Sequence, residues 1–490
     1  LARRIAEHLG VVNRSATSLG RLATGTGVVA IALMLLTAVL GPSAAEVPLP
    51  PGRWPVAFSL HPSPWVVTGL SLAAVLCSGA AVLAALTALE RGWAPNPRVL
   101  LIGAFVAVGL LVAVPPIGSA DVLDYAAYGH AVDRGIDPYR VPPRAMVGDP
   151  FANAVEAPWR GVTSAYGPVA TAEQNAVVEL SGDHQRMAVA LLDLVHGLAF
   201  ALSAWLLYRL ARTDGGRRRA VLLFGLNPLL LYAVVAGGHI DSLAILGIAA
   251  AYALLRRSPL LAGLAGGVAL LVKLTGALPL AAWAVALRRS PRRVAALAAG
   301  AACVFGAGYA IVGFSAFGQA RRASRYASPA TPWRAVRTIH VLVGDHAAAT
   351  LVSVGAAMLG LVVIAVLHRH LPVDLVVGDT PGLARAALAW TLGWVLTAPY
   401  VLSWYDLLPW VFITLVAASR YDKVLLLHTA TLAAVYIPGR ASQAVHMPHA
   451  LLVLTNGARF GVAPVIGACL IVVAVRPQLV GRLDRRVAAA

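Results

Sequence analysis

Four side chains with the types and spacing for acid–base chemistry open a polar island, Ser119 to Gly167: Asp121, Asp124, Tyr125 and Tyr128. If residues 119–132 form a short helix at a membrane surface, these four share one face. One carboxylate would then act as a general base and the others would position a substrate. Capping of a helix N-terminus by Ser119 or Asp121 is the competing reading. The island continues through Gly135-Ile-Asp137-Pro-Tyr139 and closes on Tyr166-Gly-Pro168.

Three further points carry polar groups among apolar residues. His239 and Asp241 follow a Gly237-Gly238 turn, where Asp241 is also expected to cap the returning helix. Lys273 interrupts an apolar run and offers a compact positive charge for a phosphate, or else snorkels to lipid headgroups. Trp404, Tyr405 and Asp406 lie together at a third tip; an aromatic belt accounts for the two rings but not for the acid. Asp193 with His196, and Arg459, sit inside apolar runs and need partners; Asp193 and His196, one turn apart, are expected to pair.

The elements that must position these groups are apolar helices. The chain has 490 residues, of which 59% are hydrophobic and 12% charged, too apolar for a soluble globule. Ala, Leu and Val fill the runs, which favours helices over the alternating strands of a membrane barrel. Apolar segments fall at about 24–41, 64–89, 99–116, 186–210, 220–236, 241–255, 259–272, 274–287, 294–313, 347–367, 385–402, 407–418, 424–437 and 449–475. Several are shorter than the roughly 20 residues a bilayer requires. These fall in pairs (220–236 with 241–255, 259–272 with 274–287, 407–418 with 424–437), the pattern of helices that stop within the membrane depth beside a cavity.

Charge sets the orientation. The net charge is +18, which in a soluble protein would point to nucleic acid. Here threading from a basic cytoplasmic arm, residues 1–22, puts roughly 25 of the Lys and Arg inside and most acids outside. The prediction is an all-α polytopic membrane protein of about 14 crossings, a single domain over 1–490. It has two long outer loops, 117–185 and 314–346. The second is basic (Arg321, Arg322, Arg325, Tyr326, Trp333, Arg334, Arg337, His340), against the positive-inside trend.

Other chemistries find no support. Cys77, Cys303 and Cys469 lie singly in apolar runs, and no Cys/His metal spacing, P-loop, dinucleotide fingerprint or nucleophile elbow occurs. No metal or cofactor is expected.

The ordered set Asp121-Val-Leu-Asp124-Tyr-Ala-Ala-Tyr-Gly129, Gly135-Ile-Asp137-Pro-Tyr139, Tyr166-Gly-Pro168, Asn227-Pro228 and Gly238-His-Ile-Asp241 resembles a known family. It is similar to the actinobacterial polyprenol-phosphate-mannose-dependent α-1,6-mannosyltransferases of the MptA/MptB type, within the GT-C superfamily of membrane glycosyltransferases. The resemblance covers about residues 110–410. Ile240 departs from it, standing where the family pattern has Asn. The resemblance implies a GT-C fold and inverting transfer of mannose from a polyprenyl-phosphate donor to a lipid-anchored mannan. The reaction would take place on the outer face of the plasma membrane. It makes Asp121 the base, with Asp124 as second candidate, and assigns the donor phosphate to Lys273, Arg321, Arg322, Arg325 and His340. Tyr125, Tyr128, Asp137, Tyr139, Tyr166, His239, Asp241, Trp404, Tyr405 and Asp406 then line the substrate. The rival readings are a transferase of another sugar, such as an arabinofuranosyl group, and a polyprenol-linked glycan transporter. Inverted repeats, expected of a transporter, are not evident.

Overall fold

Ser63-Pro64, Asn96-Pro97 and Ser258-Pro259 each place a capping oxygen before a proline at the first helical position, and each starts a helix. The computed structural model describes residues 2–323, 325–338, 343–375 and 382–476, with the side chains of 2–14 and of residue 320 left out. The helices that matter here are α1 (Ala2–Val39), α2 (Pro64–Glu90), α3 (Pro97–Leu111), α4 (Asp121–Asp133), α5 (Pro168–Ser181) and α6 (Gln185–Leu210). They continue with α7 (Asp214–Val235), α8 (Asp241–Leu255), α9 (Pro259–Val272), α10 (Ala277–Ala286) and α11 (Pro291–Val312). The last five are α12 (Asp345–His370), α13 (Leu383–Thr397), α14 (Leu407–Ile413), α15 (Arg420–Val435) and α16 (His449–Val475).

Each apolar segment of the sequence holds one of these helices. Among the described residues seven are long and apolar enough to cross a membrane: the 15–39 part of α1, then α2, α6, α7, α11, α12 and α16. This is an all-helical polytopic architecture. One expected short pair is corrected. Segment 220–236 belongs to a full-length helix, α7, which begins at Asp214 and is interrupted at Leu226-Asn227. There the Asn227 side chain accepts from the Leu229 N–H and restarts the helix at Pro228. α8, α9, α10 and α13 remain short.

The connections sort to two ends of the bundle. At one end Arg219 fills both oxygens of Asp422 (2.9 and 2.7 Å) and donates to the Ile413 and Val416 carbonyls. Arg218 reaches the Pro95 carbonyl, and Asp374 accepts from the backbone of Gly382, Ala384 and Arg385. The loops there carry Arg91, Arg212, Arg256, Arg257, Arg288 and Arg289. The other end is laced by different residues. Gly118 N–H donates to Ala45, Gly167 N–H to Val272 and Ser328 N–H to Pro399, while Arg440 pairs with Glu156 (2.8 Å). α4 and α5, both drawn from the 117–185 segment, pack together at this end. Gly129 lets them meet, since a Cβ there would strike the Gln174 backbone.

Candidate functional site

Asp121 begins α4, where the Ser119 hydroxyl accepts its backbone N–H at 3.2 Å. A helix N-terminus ordinarily favours a carboxylate. Here burial wins and pushes the Asp121 carboxyl up to about 6, opposed by the Lys273 ammonium and the Ser119 contact and reinforced by Asp241 and Glu156. The side chain still keeps 21% of its surface open, enough for a substrate hydroxyl to reach it. Asp124, one turn on, is also pushed well above the usual carboxylate range, by burial and by the charges of Asp121 and Glu156. Tyr125 is fully buried, edge-on to Tyr166 (centroids 5.1 Å apart), with the two hydroxyls 3.5 Å apart.

The three polar tips meet beside Asp121. His239 Nδ1 lies 3.6 Å from Asp121 Oδ2, and its ring stacks on Trp404 (3.8 Å, 18°). Burial and the nearby Lys273 charge hold His239 well below the usual imidazole range, hence neutral. Lys273 Nζ bonds both oxygens of Asp241, at 2.7 and 2.8 Å, and sits 4.1 Å above the Tyr405 ring. Asp241 therefore does not cap α8 as expected; its carboxylate is turned to Lys273, and the helix starts without a side-chain cap. Gly167 fixes Tyr166 against this group. Its N–H donates to the Val272 carbonyl at 3.1 Å, and a Cβ at that position would collide with the Leu271 carbonyl.

Other expected site residues spend their polar atoms on the protein. Tyr128 Oη donates to the Val162 carbonyl (3.0 Å), and Tyr139 Oη bonds Thr171 Oγ1 (2.8 Å). Asp137 accepts from the Tyr139 N–H and pairs with Arg140. Asp406 is wholly buried, held by His428 Nδ1 (2.8 Å) and Thr429 Oγ1 (2.7 Å). All four make contacts within the protein, and among them the Asp137 side chain stays 39% exposed. Arg322 crosses to Thr163 Oγ1 (2.8 Å) and so ties the basic 314–338 segment over the 156–166 loop. Arg321 and Arg325 are exposed on that segment, and His340 lies outside the described residues. From the segment an aromatic line leads inward: Tyr326 against Tyr400, Tyr400 against Tyr405, then Lys273.

One pairing differs from expectation. His196 does not pair with Asp193; its Nδ1 meets the Gly238 carbonyl (2.8 Å) and its Nε2 faces Glu173 (3.5 Å). Arg459 meets no acid among the described residues; it donates to the Val435 carbonyl (3.0 Å) and lies over the Tyr436 ring. Sequence reasoning missed Glu156 and Arg440. They are 284 residues apart, and only folding pairs them and brings the Glu156 charge to bear on Asp121 and Asp124. Among the described residues, three side chains able to ligate a metal converge only at the far end of α4: His130, Asp133 and Asp183.

The geometry is that of a partly open carboxyl near a largely buried Lys–Asp pair in an aromatic surround. Residues 24–289 match the family model described as alpha-(1→6)-mannopyranosyltransferase, N-terminal domain. The chain is similar to an alpha-(1→6)-mannopyranosyltransferase of Mycobacterium tuberculosis (34% identical over 136 residues, 27% of this chain and 23% of that one). It is similar to a probable alpha-(1→6)-mannopyranosyltransferase of Mycolicibacterium smegmatis (35% over 139 residues; 28% and 25%). Alpha-(1→6)-mannopyranosyltransferase A of Corynebacterium glutamicum is 27% identical over 177 residues (35% and 36%). The chain thus spans about a quarter to a third of the length of these relatives. No solved structure matches. With more than half of its length matched by the family model, and its acid, lysine and aromatic tips gathered in one site, the chain belongs to the MptA/MptB family of alpha-(1→6)-mannopyranosyltransferases.

Proposed function

We propose that this protein is an inverting α-1,6-mannosyltransferase that moves mannose from polyprenyl-phosphate mannose to a lipid-anchored mannan. The observation that carries the reading is Asp121: a largely buried carboxyl, raised to about 6, partly open, and set beside the Lys273–Asp241 pair. Asp121 takes the proton of the acceptor hydroxyl as that oxygen attacks the anomeric carbon. The bond to the donor phosphate breaks in the same displacement, so a β-linked donor gives an α product. By analogy with inverting hydrolysis one base suffices and no covalent glycosyl-enzyme forms. The leaving phosphate already has a low pKa and needs positive charge more than a proton; Lys273 supplies it, with Arg321, Arg322 and Arg325 above. His239 and Trp404 form the wall against which the sugar rests.

The orientation follows from charge. The arginine-rich end of the bundle faces the cytoplasm, so the site end opens on the outer face of the plasma membrane. The test is transfer from polyprenyl-phosphate mannose to a short α-1,6-mannoside by purified protein, wild type beside Asp121→Asn. Product from wild type alone supports donor, reaction and base. Equal product from both overturns the assignment of the base. Product from neither overturns the donor.

A further inference from the structure

The far end of α4 holds a second constellation, nine residues from Asp121 and so about 14 Å along the helix. His130 and Asp133 are three residues apart and share a face. The turn before α6 brings in Asp183, and one ligating atom from each of the three lies within 4.8 Å of the others. Exposed acids gather often without purpose; the imidazole is the informative part. His130 is 1% exposed, its ring stacked on Phe151 (4.2 Å, 14°), and neither ring nitrogen has an aligned hydrogen bond.

The distances explain that misalignment. Nδ1 stands 3.3 Å from Asp183 Oδ1 without pointing along a hydrogen-bond line. Two ligands each about 2.1 Å from one tetrahedral ion are about 3.4 Å apart, and their lone pairs aim at the ion, not at each other. The other nitrogen, Nε2, faces Asp149 Oδ2 at 2.9 Å, while Asp149 Oδ1 is held by the Ala152 N–H. Asp149 thus stands close behind the ring, though its contact with Nε2 is no better aligned than that of Asp183 with Nδ1. Arg134 also reaches Asp183 Oδ2 (3.3 Å) and comes within 4.0 Å of Asp133. It is the cation that would compete.

We propose that His130 Nδ1, Asp133 and Asp183 bind one first-row divalent cation, Mn2+ or Zn2+, which ties the C-terminal end of α4 to the turn before α6. One imidazole and two carboxylates suit these ions better than Mg2+ or Ca2+, which prefer all-oxygen sites. The ion stands away from the reacting groups and acts by anchoring the helix whose other end carries Asp121.

The experiment uses the full chain, without a polyhistidine tag, stripped with chelator and then given Mn2+, Zn2+, Ca2+ or Mg2+ singly. Metal content and melting temperature are read for wild type, Asp183→Asn and Arg134→Gln. Asp183 is half exposed, so its variant folds. The expected result is one Mn2+ or Zn2+ per wild-type chain with a rise in Tm of several degrees. Binding should weaken at least tenfold in Asp183→Asn and be kept or tightened in Arg134→Gln. No stoichiometric Mn2+ or Zn2+ in wild type, equal binding by Asp183→Asn, or a response to Ca2+ or Mg2+ alone overturns the proposal. So does Arg134→Gln losing stability that no metal restores, which would make the cluster an ion pair only.

Discussion

Replacing Lys273 with Met separates two jobs that the Lys273–Asp241 pair could have. Both partners are largely buried, at 13% and 9% exposure, and Lys273 fills both Asp241 oxygens. Removing one partner of such a pair leaves a buried, unmatched charge and costs about 3–5 kcal/mol. Neutralising Asp241 as well, in Lys273→Met/Asp241→Asn, should return most of that loss. A deficit of about 0.5–2 kcal/mol should remain for the cation–π contact with Tyr405. Activity should behave differently. If the ammonium meets the donor phosphate as its charge develops, both variants lose roughly 10²–10³ in kcat, and the second mutation restores nothing. Lys273 also holds the Asp121 carboxyl down, so wild type and both variants are compared across a pH series on their alkaline plateaus. The measurements are thermal melting in detergent and mannosyl transfer at saturating acceptor. A double variant that recovers transfer together with stability would refute the phosphate role and leave Lys273 a structural partner of Asp241.

Other outcomes follow from single contacts. Transfer should fall tenfold per pH unit below about 6 as Asp121 is protonated, and Asp124→Asn should leave that profile in place; a profile flat to pH 5 counts against Asp121 as base. Gly167→Ala should cost about 1–3 kcal/mol, because the Leu271 carbonyl must yield, and should lower transfer by moving Tyr166; an unchanged melting temperature would contradict the close approach. Glu46 is buried near Arg186 and Arg440, and burial pushes its carboxyl up to about 8 from 4.5. The stability contributed by its neutral form is complete below pH 4.5 and is lost as the pH rises through 8. The stability gap between Glu46→Gln and wild type should therefore widen across that window; a gap independent of pH speaks against a neutral Glu46.

Much of the architecture was legible in the chain alone, because a bilayer permits few backbones and demands apolar length. Runs of Ala, Leu and Val located every apolar helix, and Ser-Pro and Asn-Pro pairs marked several starts. The placing of Asp121, Asp124, Tyr125 and Tyr128 on one short helix was also legible, since helix period is a local property. The motif glycines Gly129 and Gly167 stood out, but their purpose did not. Each is needed because another backbone, at Gln174 or Leu271, comes too close for a Cβ.

What the tertiary structure decided is which polar group meets which. Asp241 looked like a helix cap and is instead the partner of Lys273, 32 residues on. Asp406 looked like an open acid and is buried against His428 and Thr429. Glu156 and Arg440 carried no local signal at all, yet they pair, and the Glu156 charge bears on Asp121 and Asp124. The reason is physical. Apolar burial is non-directional and follows composition, whereas a buried charge is settled by distance and by what else is buried with it. The first can be summed along a sequence; the second exists only once residues far apart in the chain are brought within a few ångströms.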